Sequence, residues 1–251
     1  MPTPFYHLSI AQNILDSGAL SPAAQQILDR QRSAFLFGNT AADVQVVSGQ
    51  PRQATHFFNL PLQKNSMPPW QRMLDACPQL ADFHQVAEEH AAFIAGYLCH
   101  LLADWRWIAE VFVPVFGLQA KWGSFAQRLY YHNVLRAYLD QQTLTNLVNG
   151  IGEKLGKVIP NYWLPFVNDR FLCAWRDYLA EQLQPGAKVH TIEVFAKRQG
   201  VSPQEYSALL ASEERMADEV FSHLPQQALS CYRQSIEEES RVLVDSYFME
   251  K

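Results

Sequence analysis

The sequence has few cysteines, no surplus of positive charge and no long apolar run, and each absence excludes a class of protein. The cysteines lie far apart without a CxxC pair, which argues against a disulfide framework and against a cysteine zinc site. The net charge of −5 argues against a stable complex with nucleic acid. No segment reaches about 18 uninterrupted apolar residues, so we expect no transmembrane segment. The four cysteines are Cys77, Cys99, Cys173 and Cys231.

The first residues, MPTPFYHLSIAQ, have neither a basic region nor a long apolar run, so they do not resemble a signal peptide. Four unpaired cysteines are typical of proteins in a reducing compartment. We therefore expect a cytoplasmic protein.

Apolar residues recur at three- and four-residue steps through most of the chain, which predicts an all-α fold. Residues 44–47 are the one candidate for a short extended piece. Ser21 and Pro22 predict a helix start, and Gly38 predicts the end of that helical region. The predicted helical segments are residues 5–15, 21–35, 82–112, 123–147, 167–183, 190–198, 203–219 and 225–248.

The stretch NGIGEKLGKVIPNYW, residues 149–163, is rich in helix-breaking residues. It predicts a boundary between a helical core of residues 1–148 and a helical extension, residues 149–251, packed on that core. The extension could cover a cleft or form an oligomer interface, and the sequence leaves both open.

The stretch AFIAGYLCHLLADWRW, residues 92–107, places His100 and Asp104 one helical turn apart on an apolar face. A buried carboxylate needs a cation, a hydrogen-bond donor or a metal. His7, Asp43 and His56 also lie in apolar surroundings. Each could be a satisfied core histidine or a turn aspartate, but together they form a His and Asp set suited to Zn²⁺, Fe or Mn²⁺.

The order of His7, GNTAADV, TH and GYLCHLLAD resembles the zinc-dependent phospholipase C family, relatives of the P1-type nucleases, over roughly residues 1–140. The resemblance implies an all-α fold that holds a zinc cluster and hydrolyses phosphate esters. It implies that Asp43, His56, His100 and Asp104 hold one zinc ion. It also implies that His7 and Asp104 hold a second, with Asp104 bridging the two and Asp43 acting as general base.

The ligands of the family's third zinc ion are altered in this chain. Glu110 stands six residues after Asp104, where the family has a histidine. His132 matches the family's HxxxE helix, but Arg136 replaces its glutamate, and an arginine does not bind a metal. We therefore expect two zinc ions. Glu110 and His132 are candidate ligands of a third ion, and the alternative is that an ion pair between Glu110 and Arg136 replaces it.

Two further residues bear on the metal site. Asp140 lies on the face of His132 and could pair with Arg136 or reach a metal. In the family the processed N-terminal residue binds zinc, and here the amine of Pro2 could substitute if Met1 were removed.

Two classes of function follow from these observations. The first is a metal-dependent hydrolase that acts on a small phosphate ester or a phospholipid head group through metal-activated water. The second is a non-catalytic helical protein that keeps a structural metal or a ligand-binding pocket. The oligomeric state is left open.

Overall fold

The computed structural model of the protein describes residues 1–63, 66–147 and 150–249. These residues form helices joined by turns, with no β-strand among them, so the all-α prediction is confirmed. The α-helices are α1 (Pro4–Asp16), α2 (Pro22–Arg30), α3 (Arg32–Ala41), α4 (Gln45–Ser48), α5 (Arg52–His56), α6 (Pro69–Ala76), α7 (Glu88–Trp107), α8 (Phe125–Leu144), α9 (Ile151–Gly156), α10 (Asp169–Gln182), α11 (Thr191–Gln199), α12 (Pro203–Leu210), α13 (Glu213–Met216) and α14 (Gln226–Tyr247).

Serine caps begin two of these helices, one of them at the predicted start, Ser21. The Ser21 hydroxyl accepts a hydrogen bond from the backbone N–H of Ala24, with Pro22 in the first turn of α2. The Ser202 hydroxyl accepts one from Glu205 at the start of α12. Each cap pairs one of the backbone N–H groups that a helix start leaves free.

The predicted helix end at Gly38 is wrong, because α3 continues through this residue to Ala41. Gly38 instead allows the backbones of α3 and α7 to cross closely. A Cβ at Gly38 would lie 2.0 Å from the carbonyl oxygen of Phe93, and a Cβ at Gly96 would lie 2.2 Å from that of Phe35. The two glycines therefore fix the end of α3 directly against the middle of α7.

The prediction of an extended piece at residues 44–47 is also wrong. A 3₁₀ turn, Ala42–Val44, follows α3 and leads into α4. The hydrophobic pattern also gave no sign of α5, α6 or α9, which have eight residues or fewer. Helices this short present too few turns for a periodic pattern to develop.

The helix α7 changes to π-helical geometry after Trp107, over Ile108–Phe116. Pro114 lies inside this segment and has no N–H to donate to the preceding turn. The change alters the direction in which the side chains after Ile108 point, relative to a continuous α-helix.

The C-terminal helices pack on the N-terminal ones. The helix α9 packs against α3 and α10, and α14 packs against α1 and α7. The hydroxyl of Tyr232 on α14 donates a hydrogen bond to the carbonyl of Ala103 at 2.8 Å. The predicted boundary between residues 148 and 149 lies outside the described residues, so two separate regions stay a prediction.

Within the described part of the chain, none of the helices combines the length and the apolar character that crossing a bilayer requires. All four cysteines are free. Cys77 and Cys99 are buried, while Cys231 is exposed.

Candidate metal centre

Four separate elements bring five His and Asp side chains together. His7 comes from α1, Asp43 from the 3₁₀ turn after α3, His56 from the end of α5, and His100 and Asp104 from α7. Asp43 is 17% exposed, whereas the other four side chains are at most 1% exposed. The structure therefore assembles all five residues that the sequence singled out on chemistry alone.

The carboxylate of Asp104 lies at the centre of this cluster. Its Oδ1 is 3.3 Å from Nε2 of His7. Its Oδ2 is 3.2 Å from Nε2 of His56 and 3.6 Å from Nε2 of His100. Asp43 approaches from the other side, with its Oδ1 3.5 Å from Nε2 of His56.

Hydrogen bonds on the far sides of the rings orient two of the histidines. Nδ1 of His100 lies 2.7 Å from the carbonyl oxygen of Asn39 and donates to it. Nδ1 of His56 lies 2.9 Å from the hydroxyl of Thr55 and 3.3 Å from the carbonyl of Arg52. With a proton on Nδ1 of each ring, Nε2 presents either a lone pair to a metal ion or, when the ring is charged, a second N–H to Asp104.

The atoms inside the cluster match the needs of a bound cation. Nε2 of His56 and Nε2 of His100 face each other at 3.4 Å, which would leave two lone pairs in contact unless a proton or a metal lay there. Nε2 of His7 and Oδ1 of Asp104 are buried without a hydrogen-bond partner. These orphaned acceptors fit zinc, which binds imidazole nitrogen and carboxylate oxygen.

Two sets of ligand atoms are close enough to share an ion. In each set the atoms lie within 4.8 Å of one another. Among the described residues the sets are His7, His100 and Asp104, and Asp43, His56 and His100.

Mutual interactions keep the two carboxylates ionised. Burial alone would raise the pKa of Asp104, but the charge of His100 and hydrogen bonds with His100 and His56 lower it well below the ordinary value. Burial likewise opposes ionisation of Asp43, and hydrogen bonding with His56 and the charge of His100 outweigh it, so its pKa is also lowered. Burial lowers the pKa of His7 to about 4, so this ring is neutral at neutral pH.

Arg52 is a member of the site that the sequence analysis missed. Its guanidinium donates to Oδ2 of Asp104 and lies 4.8 Å above the ring of Phe58. Arg52 begins α5 and stands one turn before His56. Recognition of this short helix would have placed the two side chains on the same face.

Glu110 and His132 do not join the two ligand sets. Glu110 lies in the π-helical segment, and its carboxylate accepts from Arg106. His132 is buried, and its Nε2 accepts a hydrogen bond from the indole N–H of Trp107 at 3.0 Å. As ligands of a third ion, both stay predictions.

The alternative of an ion pair between Glu110 and Arg136 is wrong, since Glu110 pairs with Arg106 and Arg136 donates to the side chain of Asn133 at 3.1 Å. Asp140 accepts from the hydroxyls of Thr3 and Thr191, and the latter contact is 2.5 Å long. Burial raises the pKa of Asp140 to about 7, although these hydrogen bonds oppose the shift.

A cavity of about 270 Å³ adjoins the cluster and shares Asp43 and Arg52 with it. Met1 lies at its wall, and burial lowers the pKa of its α-amino group, as does the charge of Arg136. Pro2 is buried beside it, and its role as a ligand stays a prediction. Side chains of α10 and α11, which follow the predicted boundary, also line this cavity.

Comparison with known proteins identifies one family. Residues 6–107 match the model of the family described as Zinc dependent phospholipase C. No curated protein and no solved structure gives a significant match. The matched segment contains His7, Asp43, His56, His100 and Asp104, which are the five residues that the fold assembles. Over residues 6–107, the chain is therefore similar to the zinc dependent phospholipase C family.

Proposed function

We propose that the protein is a zinc-dependent hydrolase of phosphate esters that holds two zinc ions in the His and Asp cluster. The observation that carries this proposal is the combination of two overlapping ligand sets with an adjoining cavity. A purely structural metal site is typically closed by four protein ligands, whereas a catalytic site keeps an accessible position. The accessible position lies beside Asp43, because this residue contacts the cluster and also lines the cavity.

The positions of the two oxygens of Asp104 favour this residue as the bridge between the ions. Oδ1 faces His7, and Oδ2 faces His56 and His100. A carboxylate offers two oxygens to two ions, while the Nε2 of a histidine offers a single lone pair. We therefore assign His100, although it belongs to both ligand sets, to the ion of His56 and Asp43.

Bound zinc would act as a Lewis acid on the phosphoryl oxygens and lower the pKa of the attacking water. Asp43 is the best placed side chain to accept the proton of that water, because it is the most exposed member of the cluster and lines the cavity. The amide of Gln45 donates to its Oδ1 at 3.3 Å and helps to hold the carboxylate in place.

The proposal does not include a third ion, because Glu110 and His132 are engaged elsewhere. The substrate is a small phosphate ester or a phospholipid head group. Absence of a stable nucleic-acid complex stays a prediction. A cytoplasmic location is part of the proposal and is supported by the free cysteines, including the exposed Cys231.

Zinc content and phosphodiester hydrolysis of the purified, untagged protein test the proposal. We expect two zinc ions per chain by elemental mass spectrometry and zinc-dependent hydrolysis of bis(p-nitrophenyl) phosphate or p-nitrophenyl phosphate. His100→Ala removes a nitrogen that lies in both ligand sets and should lose zinc and hydrolysis together. His84→Ala is the matched control, because His84 is exposed and lies outside the cluster.

The possible results separate the two classes of function. Zinc binding without hydrolysis of either ester would support a structural metal in a non-catalytic protein. No zinc uptake after zinc is added would mean that the cluster is a buried polar network. Full zinc content in His100→Ala would contradict the ligand assignment.

A further inference from the structure

Three arginines and one carboxylate are the charged side chains among the residues that line the cavity beside the cluster. The carboxylate is Asp43, and the arginines are Arg52, Arg136 and Arg198. The cavity thus has an excess of positive charge in a protein whose net charge is −5. A charged concavity of this kind concentrates ligands of the opposite sign.

Arg136 is held in place and has unused donor capacity. Its guanidinium lies 4.4 Å above the ring of Phe195, and one amino group donates to Asn133. Its Nε is buried without a hydrogen-bond partner. Burial lowers the pKa of Arg136 to about 10, so the group is still positively charged at neutral pH.

Arg52 has a similar unused donor. Its terminal amino group binds Asp104, while its Nε is buried without a partner. Buried polar atoms without partners are rare in proteins and mark places where a ligand or ordered water is expected. The guanidinium geometry suits a phosphate, which accepts two parallel hydrogen bonds.

An apolar wall forms another part of the cavity lining. Trp175, Leu179, Val194 and Phe195 contribute to it. The indole N–H of Trp175 is satisfied by the carbonyl of Thr40 at 2.9 Å, and its ring stacks on Tyr178, so only the part of the ring that lines the cavity can meet a ligand. An organic substituent next to the phosphate would lie against this wall.

We infer that the cavity selects small phosphomonoesters, with the dianionic phosphate bound by Arg136 and Arg52 and the organic group packed against Trp175 and Phe195. This inference rests on the proposed function, since it names the substrate class of the same site. A phospholipid head group presents its phosphate as a diester with a single negative charge, which the arginines bind less strongly than a dianion. The cavity volume of about 270 Å³ suits a small ester, because pockets for drug-sized ligands begin near about 300 Å³.

Calorimetric titration with a ligand that cannot be hydrolysed tests the charge selectivity. The probes are phenylphosphonate and its monomethyl ester, at about pH 8.5, where the first is a dianion and the second a monoanion. We expect the full-length, zinc-loaded protein to bind phenylphosphonate about tenfold more tightly, the effect of one added charge-assisted hydrogen bond. The same preference should persist after zinc is removed with a chelator.

Three glutamine variants test the assignment of the arginines. Arg136→Gln should weaken binding of phenylphosphonate about tenfold and abolish the preference for the dianion. Arg198→Gln should weaken it less, and this side chain is exposed, so the variant tests the cavity even if Arg136→Gln does not fold. Arg170→Gln is the matched control, because Arg170 is exposed on α10 and does not line the cavity.

The results distinguish this inference from the proposed function. Equal affinity of the wild-type protein for both probes, or a preference that survives in both Arg136→Gln and Arg198→Gln, would overturn the inference. Hydrolysis of phosphate esters without such a preference would overturn it and leave the proposed function standing. A preference for the dianion in a protein that takes up no zinc would overturn the proposed function and support the charge selectivity of the cavity.

Discussion

Two regions of the molecule contain buried histidines that the sequence suggested as zinc ligands, and they differ in what lies opposite the ring nitrogens. In the cluster, the Nε2 atoms of His7, His56 and His100 face carboxylates or each other. In the second region, Nε2 of His132 accepts from the indole N–H of Trp107, and the ring packs against Phe112 and Phe116. The first arrangement requires a cation, whereas the second is already satisfied.

The carboxylates differ in the same way. Asp104 is fully buried among three imidazoles and one guanidinium. Glu110 is 37% exposed and pairs with Arg106, one turn earlier in the chain. An ion pair between exposed side chains contributes little to the free energy of folding. Residue type alone therefore does not define a ligand, because the partner and the burial decide whether a metal is needed.

The largest difference is expected between two single variants, Asp104→Asn and Glu110→Gln. Asp104→Asn removes the charge that faces three histidines, so zinc should be lost and hydrolysis should fall by more than about 100-fold. This fall exceeds the effect expected from removing a residue that only orients a metal ligand. Glu110→Gln should leave zinc content unchanged and alter the unfolding free energy by no more than about 0.5 kcal/mol. Zinc loss in Glu110→Gln, measured by elemental mass spectrometry, would show that the two regions act as one site.

The second test removes the hydroxyl that orients His56. Thr55→Val deletes the contact to Nδ1 of His56 at 2.9 Å and should lower zinc affinity about tenfold, since such outer partners fix the tautomer of the ligand. Competition with a chromogenic chelator measures this affinity. Thr145→Val is the control, because Thr145 is exposed on the far end of α8 and bonds only locally. Equal effects of the two variants would argue against an oriented ligand.

The third test concerns the second region. Trp107→Phe leaves Nε2 of His132 buried without its donor and should lower the unfolding free energy by about 1–3 kcal/mol, with zinc content unchanged. Adding His132→Phe removes the unpaired acceptor and should recover part of that loss. Urea denaturation of the two single variants and the double variant gives the coupling energy. A coupling near zero would mean that the hydrogen bond has no stabilising role.

The fourth test concerns Asp140, a buried carboxylate that is satisfied by hydroxyls rather than by cations. Its pKa is raised from 3.8 to about 7 in the folded protein, so between these values the native state binds more protons than the unfolded state. The stability that this group contributes is therefore present below about pH 4 and is lost as the pH rises toward 7, by at most about 1.4 kcal/mol per pH unit.

Asp140→Asn should flatten this part of the stability profile, as measured by urea denaturation at several pH values. Asp29→Asn is the control, because Asp29 is exposed on α2 and its carboxylate accepts a hydrogen bond from the side chain of Gln25. An unchanged slope in Asp140→Asn would show that this aspartate is already ionised in the folded protein.

Much of the site could be predicted from the sequence because its chemistry is unusual for a helical core. Histidines and aspartates in apolar surroundings need an explanation wherever they occur, and the i, i+4 spacing of His100 and Asp104 specifies their common face without tertiary information. Arg52 could not be found in this way. Its helix has only five residues, and its partner Asp104 is 52 positions away.

By itself the sequence determined the all-α class, the serine-capped helix starts and the identity of the cluster residues, since each depends on local spacing or residue chemistry. Only the tertiary structure decided which polar groups are satisfied. Gly38 and Gly96 allow α3 and α7 to cross closely. Glu110 lies in the π-helical segment and pairs with Arg106. Side chains of α10 and α11 line the cavity together with Arg136. These outcomes depend on contacts between residues distant in the chain, which no local pattern encodes.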